Sequence, residues 1–235
     1  MAEDFIIPPP PRVSAAVAGT TARFPIRRIF CVALNYADHA REMGKEATRD
    51  EPFFFTKPAD ALVADGATIP YPTQTSDLHH EIELVAVLQS GGQNIPADRA
   101  LECVYGYAAG IDLTRRDLQT AARAVGRPWD MSKGFDLSAP LGAIHPVADI
   151  GHPARGGVSL SVNGEPRQQG DLADMIHPVV DIIAALSRYV ALAPGDLIFT
   201  GTPAGVGPLL PGDRVEGAIE GVGTVSLTIK KTIEK

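Results

Sequence analysis

Glycine and proline cut this chain into short pieces, and that punctuation limits the fold more than any other feature. Among 235 residues there are 23 glycines and 20 prolines. Between them lie apolar runs of strand length: "RRIFCVAL" (27–34), "PFFFTKP" (52–58) and "EIELVAVL" (81–88). Short runs of this kind, bounded by turn residues, predict buried strands. "VSLSVNGEPRQQ" carries Asn163-Gly164 between two such runs, the sequence signal of a tight hairpin. Two Pro-Gly-Asp turns, at 194–196 and 211–213, flank "LIFTGTPAGVG", and "GTVSLTIKK" closes the chain.

Helical signals are fewer. "NYADHAREMG" is helix-like and stops at Gly44, a residue suited to the left-handed turn after a helix. "PADRALECVYGYAAGID" reads as a helix leading into a strand. "TRRDLQTAARAVG" has Thr114 and Asp117 at capping-box spacing and predicts a helix over 115–125, stopped by Gly126. "PVVDIIAALSRYV" (178–190) has apolar residues at 179, 180, 182, 183, 186, 189 and 190, a helix with a broad buried face. Strands outnumber helices without regular βα alternation, which disfavours a doubly wound sheet. The expected fold class is α+β, a strand-rich mixed β-sandwich or roll. Residues 1–23 read as a proline-rich N-terminal arm and 24–235 as one domain.

Composition bounds the function. A net charge of −7 without a basic run argues against a nucleic-acid surface. No apolar stretch reaches the ~18 residues that a membrane span needs. The N-terminus "MAEDFIIPPPPRV" resembles neither a signal nor a transit peptide. Cys31 and Cys103 both sit in apolar runs and read as buried reduced thiols, so the expected setting is cytoplasmic.

The chemistry begins in "SDLHHEIEL" (76–84). In a strand, Glu81 and Glu83 share one face with Cα atoms roughly 6.5–7 Å apart. Val85 and Val87 continue that face, while Ile82, Leu84, Ala86 and Leu88 take the other. Two carboxylates entering a buried strand repel unless a cation lies between them. A water-exposed edge is the competing reading, and the apolar strand around them weakens it. Asp112, closing "YGYAAGID", is a natural third ligand. All-oxygen donors suit Mg²⁺, Mn²⁺ or Ca²⁺. Zinc fits less well because "HHEIEL" is not H-E-x-x-H, so His79 and His80 read as outer or packing residues.

Seven ordered segments together resemble the fumarylacetoacetate hydrolase family: "RRIFCVALNYADHAREMG", "PFFFTKPADAL", "HHEIELVAVL", "GIDLTRRDLQ", "GRPWDMSKGFDLSAPLG", "VNGEPRQ" and "GDLIFTGTPAGVG". The likeness runs from about Phe24 to Lys230 and is to the stand-alone catalytic domain. It is nearest to the members that hydrolyse fumarylpyruvate in gentisate-type aromatic breakdown. The resemblance implies a homodimer with Mg²⁺ or Mn²⁺ on Glu81, Glu83 and Asp112. It also implies a His39–Glu42 pair on a mobile lid and active-site lysines at Lys57 and Lys133. Arg116, Gln119 and Thr202 match its substrate-binding motifs. Two departures stand out. A fourth acidic ligand has no counterpart, so water is expected there, and Ala33 replaces a glycine before the x-N-Y segment.

The implied reaction is hydrolysis of a carbon–carbon bond in a 2,4-dioxo acid, giving fumarate and pyruvate from fumarylpyruvate. His39, oriented by Glu42, is the expected base. Lys133 is assigned to the 4-oxo oxygen, Lys57 to a partner anion, and the Thr202 loop to a carboxylate. Arg41, Arg115 and Arg123 are candidates for the distal carboxylate. Oxaloacetate decarboxylation or keto–enol isomerisation is the alternative within the family, and a non-catalytic dicarboxylate-binding module is the alternative outside it.

Overall fold

The computed structural model describes residues 5–44 and 50–231. Two large sheets face each other. The first runs in the order Phe53–Lys57, Arg28–Ala33, Asp196–Phe199, Ile82–Leu88, Val104–Ile111, Ala139–Leu141 and Leu62–Ala64, with His145–Pro146 also paired to Val104–Ile111. It is mixed: Asp196–Phe199 lies parallel to Arg28–Ala33 but antiparallel to Ile82–Leu88. The second sheet runs Glu165–Asp171, Gly157–Val162, Arg214–Ile219, Gly223–Ile229 and Ala67–Ile69. A three-stranded sheet of Thr114–Arg115, Leu78–His80 and Gly207–Leu209 sits at one end. The expected strand-rich α+β sandwich roll is the architecture observed.

Strand alternation splits the apolar residues into two cores. Leu84, Ala86 and Leu88 pack with Val158, Leu160, Val215 and Leu227 of the second sheet, and with Ile182, Ile183 and Leu186 of the helix Val179–Tyr189. Val85 and Val87 face the other way, against Ile29, Cys31, Leu197 and Phe199. That second core includes Ala15, from a small antiparallel pair formed by Ser14–Ala16 and Arg23–Pro25, and Val17 just after it, which bridges to Ile144. Phe5, Ile6 and Ile7 ahead of it are exposed.

The turn signals appear as read. Asn163 and Gly164 have φ of 54° and 83°, the left-handed pair that an Asn-Gly hairpin turn requires. Helices cover Ala37–Glu42, Arg116–Ala124 and Val179–Tyr189. The segment before Val104 is a 3₁₀ helix, Ala97–Cys103, where an ordinary helix was expected. The expected capping box fails in detail: Arg115 is the N-cap and no side chain caps the helix. Asp117 instead accepts from the Ser76 amide and the Thr75 hydroxyl, while Thr114 is drawn into the buried charge cluster described below. Among the described residues, no helix is long and apolar enough to cross a membrane.

Candidate active site

Strand Ile82–Leu88 pairs with Val104–Ile111 so that Glu83 faces Gly110 and Ile82 faces Ile111. This register brings Asp112, just past its strand, beside Glu81, just before its own. The Asp112 amide donates to the Glu81 carbonyl at 2.8 Å. Glu81, Glu83 and Asp112 are all buried, with ligand oxygens within 4.8 Å of one another.

Three cations face these three carboxylates, unevenly. Lys133 spends its three ammonium protons on Glu81 Oε2 (2.8 Å), Asp112 Oδ2 (2.7 Å) and Thr114 Oγ1 (2.6 Å). Lys57 lies 2.8 Å from Asp112 Oδ1 and donates to the carbonyls of Leu113 and Lys133. The Arg116 guanidinium grips Glu81 Oε1 and Gln119 Oε1. Burial opposes charge on Glu81, yet Lys133 and then Arg116 outweigh it and hold the carboxyl well below the usual range. Burial also opposes charge on Lys133, but Asp112 and Glu81 raise its affinity for the proton. Among the described residues Glu83 has no basic side chain bonded to it; its Oε2 accepts from the Gly201 amide at 2.7 Å. Burial, then Asp112 and Glu81, push its carboxyl well above the usual range.

These features fit a divalent cation. Glu83 is a buried carboxyl with no basic side chain bonded to it among the described residues, and buried Asp112 Oδ1 accepts no hydrogen bond even with Lys57 alongside. The donors are all oxygen, the preference of Mg²⁺, Mn²⁺ and Ca²⁺. His79 and His80 do not belong to the set. His79 bonds Asp77 and the Arg116 Nε, and His80 Nδ1 faces Gln168 Oε1 at 3.0 Å.

A narrow cleft opens over Glu81 and Glu83, with His39, Met43, Phe55, Arg123 and Trp129 in its wall. The helix Ala37–Glu42 covers it. Helical spacing sets Glu42 one turn beyond His39, and His39 Nδ1 is 3.1 Å from Glu42 Oε2. Glu42 also accepts from the Gly205 amide, which latches this helix to the loop after strand Asp196–Phe199. With Nδ1 turned to a carboxylate, the neutral ring carries its proton there and presents a bare Nε2. Asn35 anchors the base of the helix, donating to the carbonyls of His177 and Thr200 and accepting from the His177 amide. Beside it the left-handed residue is Leu34 (φ 57°), not Ala33, which ends its strand in extended form.

The Thr202 hydroxyl lines the cleft and accepts from Gln168 Nε2 at 2.8 Å. The orientation of that amide follows from its neighbours. Ile82 N–H must donate to Oε1 (3.1 Å), and the Pro203 carbonyl must receive from Nε2 (2.9 Å). Thr202 is therefore an acceptor toward Gln168, leaving its own proton for the cleft. Neither Gln168 nor Thr114 stood out in the sequence as a site residue. Gln168 lies in the quoted "VNGEPRQ" stretch with a role legible only in three dimensions, and Thr114 read as a helix cap.

The structure thus gathers His39, Glu42, Lys57, Glu81, Glu83, Asp112, Arg116, Gln119, Lys133 and Thr202 in or against one cleft. Arg123 also lines it. Arg41 is turned outward in a pair with Asp38, and Arg115 donates to the Met131 carbonyl over the Phe135 ring.

Fold and site together define a carboxylate-lined, metal-ready enzyme cleft in a mixed β roll. Residues 28–230 match the family model described as fumarylacetoacetate (FAA) hydrolase C-terminal, and the chain belongs to that family. It is 44% identical over 180 residues to a fumarylpyruvate hydrolase of a Ralstonia species, covering 77% of this chain and 93% of that one. An oxaloacetate tautomerase of Escherichia coli is 40% identical over 204 residues, covering 86% and 93%. Among solved structures, fumarylpyruvate hydrolase from Pseudomonas aeruginosa, in complex with Mn²⁺ and pyruvate, superposes with a TM-score of 0.94 at 48% identity, covering 97% of this chain and all of that one.

Proposed function

We propose that the protein is a metal-dependent hydrolase that cleaves the carbon–carbon bond of a 2,4-dioxo acid, with fumarylpyruvate as its substrate. One observation carries this reading. The buried His39, paired with a solvent-exposed Glu42 that Gly205 latches, aims a base at the same cleft that holds the three carboxylates.

A divalent metal held by Glu81, Glu83 and Asp112 would supply a Lewis acid for the 1-carboxylate and 2-oxo oxygens and for the charge of the departing enolate. The chain's own groups do the rest. His39 Nε2 takes a proton from water as its oxygen bonds to C4, and Glu42 steadies the imidazolium that forms. The C3–C4 bond then breaks, the acyl half leaves as a carboxylic acid, and the C3 carbanion, delocalised as an enolate, regains a proton from His39. Lys133 stands next to this centre with all its protons committed. Passing one from the neutral Thr114 hydroxyl to a developing oxyanion exchanges a weaker acceptor for a charged one. Thr202, with its proton free, suits the substrate carboxylate. Arg116 and Gln119 complete that wall.

Keto–enol exchange of oxaloacetate is the second reading, supported by the 40% identity to the tautomerase and by an inner cleft that needs only the pyruvyl end of a substrate. A product assay decides between them. With Mn²⁺ supplied, release of fumarate and pyruvate from fumarylpyruvate, abolished by chelation, supports hydrolysis. Rapid oxaloacetate tautomerisation with no cleavage of any 2,4-dioxo acid overturns it.

A further inference from the structure

The helix Arg116–Ala124 presents Arg116, Gln119 and Arg123 at positions i, i+3 and i+7, one continuous face. At ~1.5 Å per residue, Arg123 lies roughly 10 Å beyond Arg116 along the axis. Arg116 is committed to Glu81 and Gln119 at the inner end of the cleft. Arg123 lines the same cleft, half-buried, and its guanidinium makes no hydrogen bond or ion pair among the described residues. The opposite wall runs outward in step. Alternate residues of strand Phe53–Lys57 place Lys57 on Asp112, Phe55 in the cleft wall and Phe53 at the rim. Trp129 packs on both rings, at 5.1 and 5.9 Å between centroids. Among the described residues the acids in the cleft wall are Glu81 and Glu83, at the inner end.

A half-buried guanidinium with no partner among the described residues, beside an aromatic wall and a helical turn or more beyond the Arg116 that grips Glu81, is a receptor for an anion carried on a flat or extended chain. We propose that Arg123 determines specificity by binding the terminal carboxylate of the acyl tail, so that the cleft selects 2-oxo acids whose far end is anionic. The inference rests on the cleft being the substrate site of the proposed hydrolase, and it names which substrates that site prefers.

The test separates the two claims. Binding to the Mn²⁺-loaded protein is titrated with a length-matched pair that cannot undergo the cleavage, 2-oxoheptanedioate and 2-oxoheptanoate. In parallel, kcat/KM is measured on fumarylpyruvate and on acetylpyruvate. Wild type should bind the diacid ~10–100-fold more tightly than the monoacid, the range of one charge-assisted hydrogen-bonded pair. Arg123→Gln should abolish that preference and lower kcat/KM on fumarylpyruvate by a similar factor, with acetylpyruvate within ~3-fold of wild type. Arg123→Lys should restore part of the preference. Equal binding of the two acids by wild type, or a preference that survives in Arg123→Gln, overturns the proposal. If neither acylpyruvate is cleaved while the diacid preference still depends on Arg123, the hydrolase reading falls and the tail-anion site stands.

Discussion

The inner and outer ends of the cleft are built on opposite terms. At the inner end Lys133 satisfies three acceptors, Gln168 satisfies four neighbours, and Glu83 is pinned by the Gly201 amide. Their side chains are buried and their rotamers fixed by bonds from four separate stretches of chain. At the outer end Arg123 has no such bond, Phe53 is exposed, and Met43 is held by a short helix. The difference teaches where variation is cheap. The charged groups packed at the inner end cannot move without leaving buried charges unpaired, which costs several kcal/mol. Groups at the outer end can change with little penalty to the fold.

The contrast is best broken by attacking the inner end first. Glu83→Gln removes a direct ligand, so manganese affinity should fall by more than ~100-fold, beyond the ~10–100-fold of outer partners, as titration calorimetry would show. Retained affinity would mean the three carboxylates are not the metal site. His39→Ala should lower kcat by ~10²–10⁴-fold while manganese affinity stays within ~2-fold of wild type. Gly201→Ala demands φ of 96° from a residue with Cβ and sets that atom 2.6 Å from Asn35 Cβ. It should cost about 1–3 kcal/mol in denaturant unfolding and loosen the hold on Glu83. Gln168→Glu should be milder. The Thr202 proton is then recaptured by the new carboxylate, raising KM about tenfold with kcat little changed. Adding Thr202→Val should cost no more than either change alone. At the outer end, Phe53→Ala should alter stability and kcat/KM by less than ~3-fold equivalents, and a large loss there would erase the distinction between the two ends.

Much of this was legible in the residues. Period-two alternation in "EIELVAVL" assigned every side chain of Ile82–Leu88 to its observed core, because a strand buried on both faces leaves no freedom of register. The Asn-Gly and Pro-Gly-Asp turns were readable because their left-handed backbone admits few residue types. What escaped notice were roles set by long-range partners. Thr114 has the spacing of a cap, yet a buried ammonium 2.6 Å away outbids a helix N-terminus for its oxygen. Arg41, Arg115 and Arg123 were indistinguishable as sequence, and only tertiary placement turned two of them away from the cleft. Lys133, assigned to the substrate's 4-oxo group, proved to be bonded first to the carboxylates themselves.

Strand Asp196–Phe199 is inserted between Arg28–Ala33 and Ile82–Leu88, segments made more than a hundred residues earlier. Without Asp196–Phe199 those two edges lack the strand that joins them in the sheet. The insertion delivers Gly201 to Glu83 and Gly205 to Glu42 in one stroke. A truncated product ending before residue 196 would expose two apolar sheet margins and would lack the amides that bind Glu83 and Glu42.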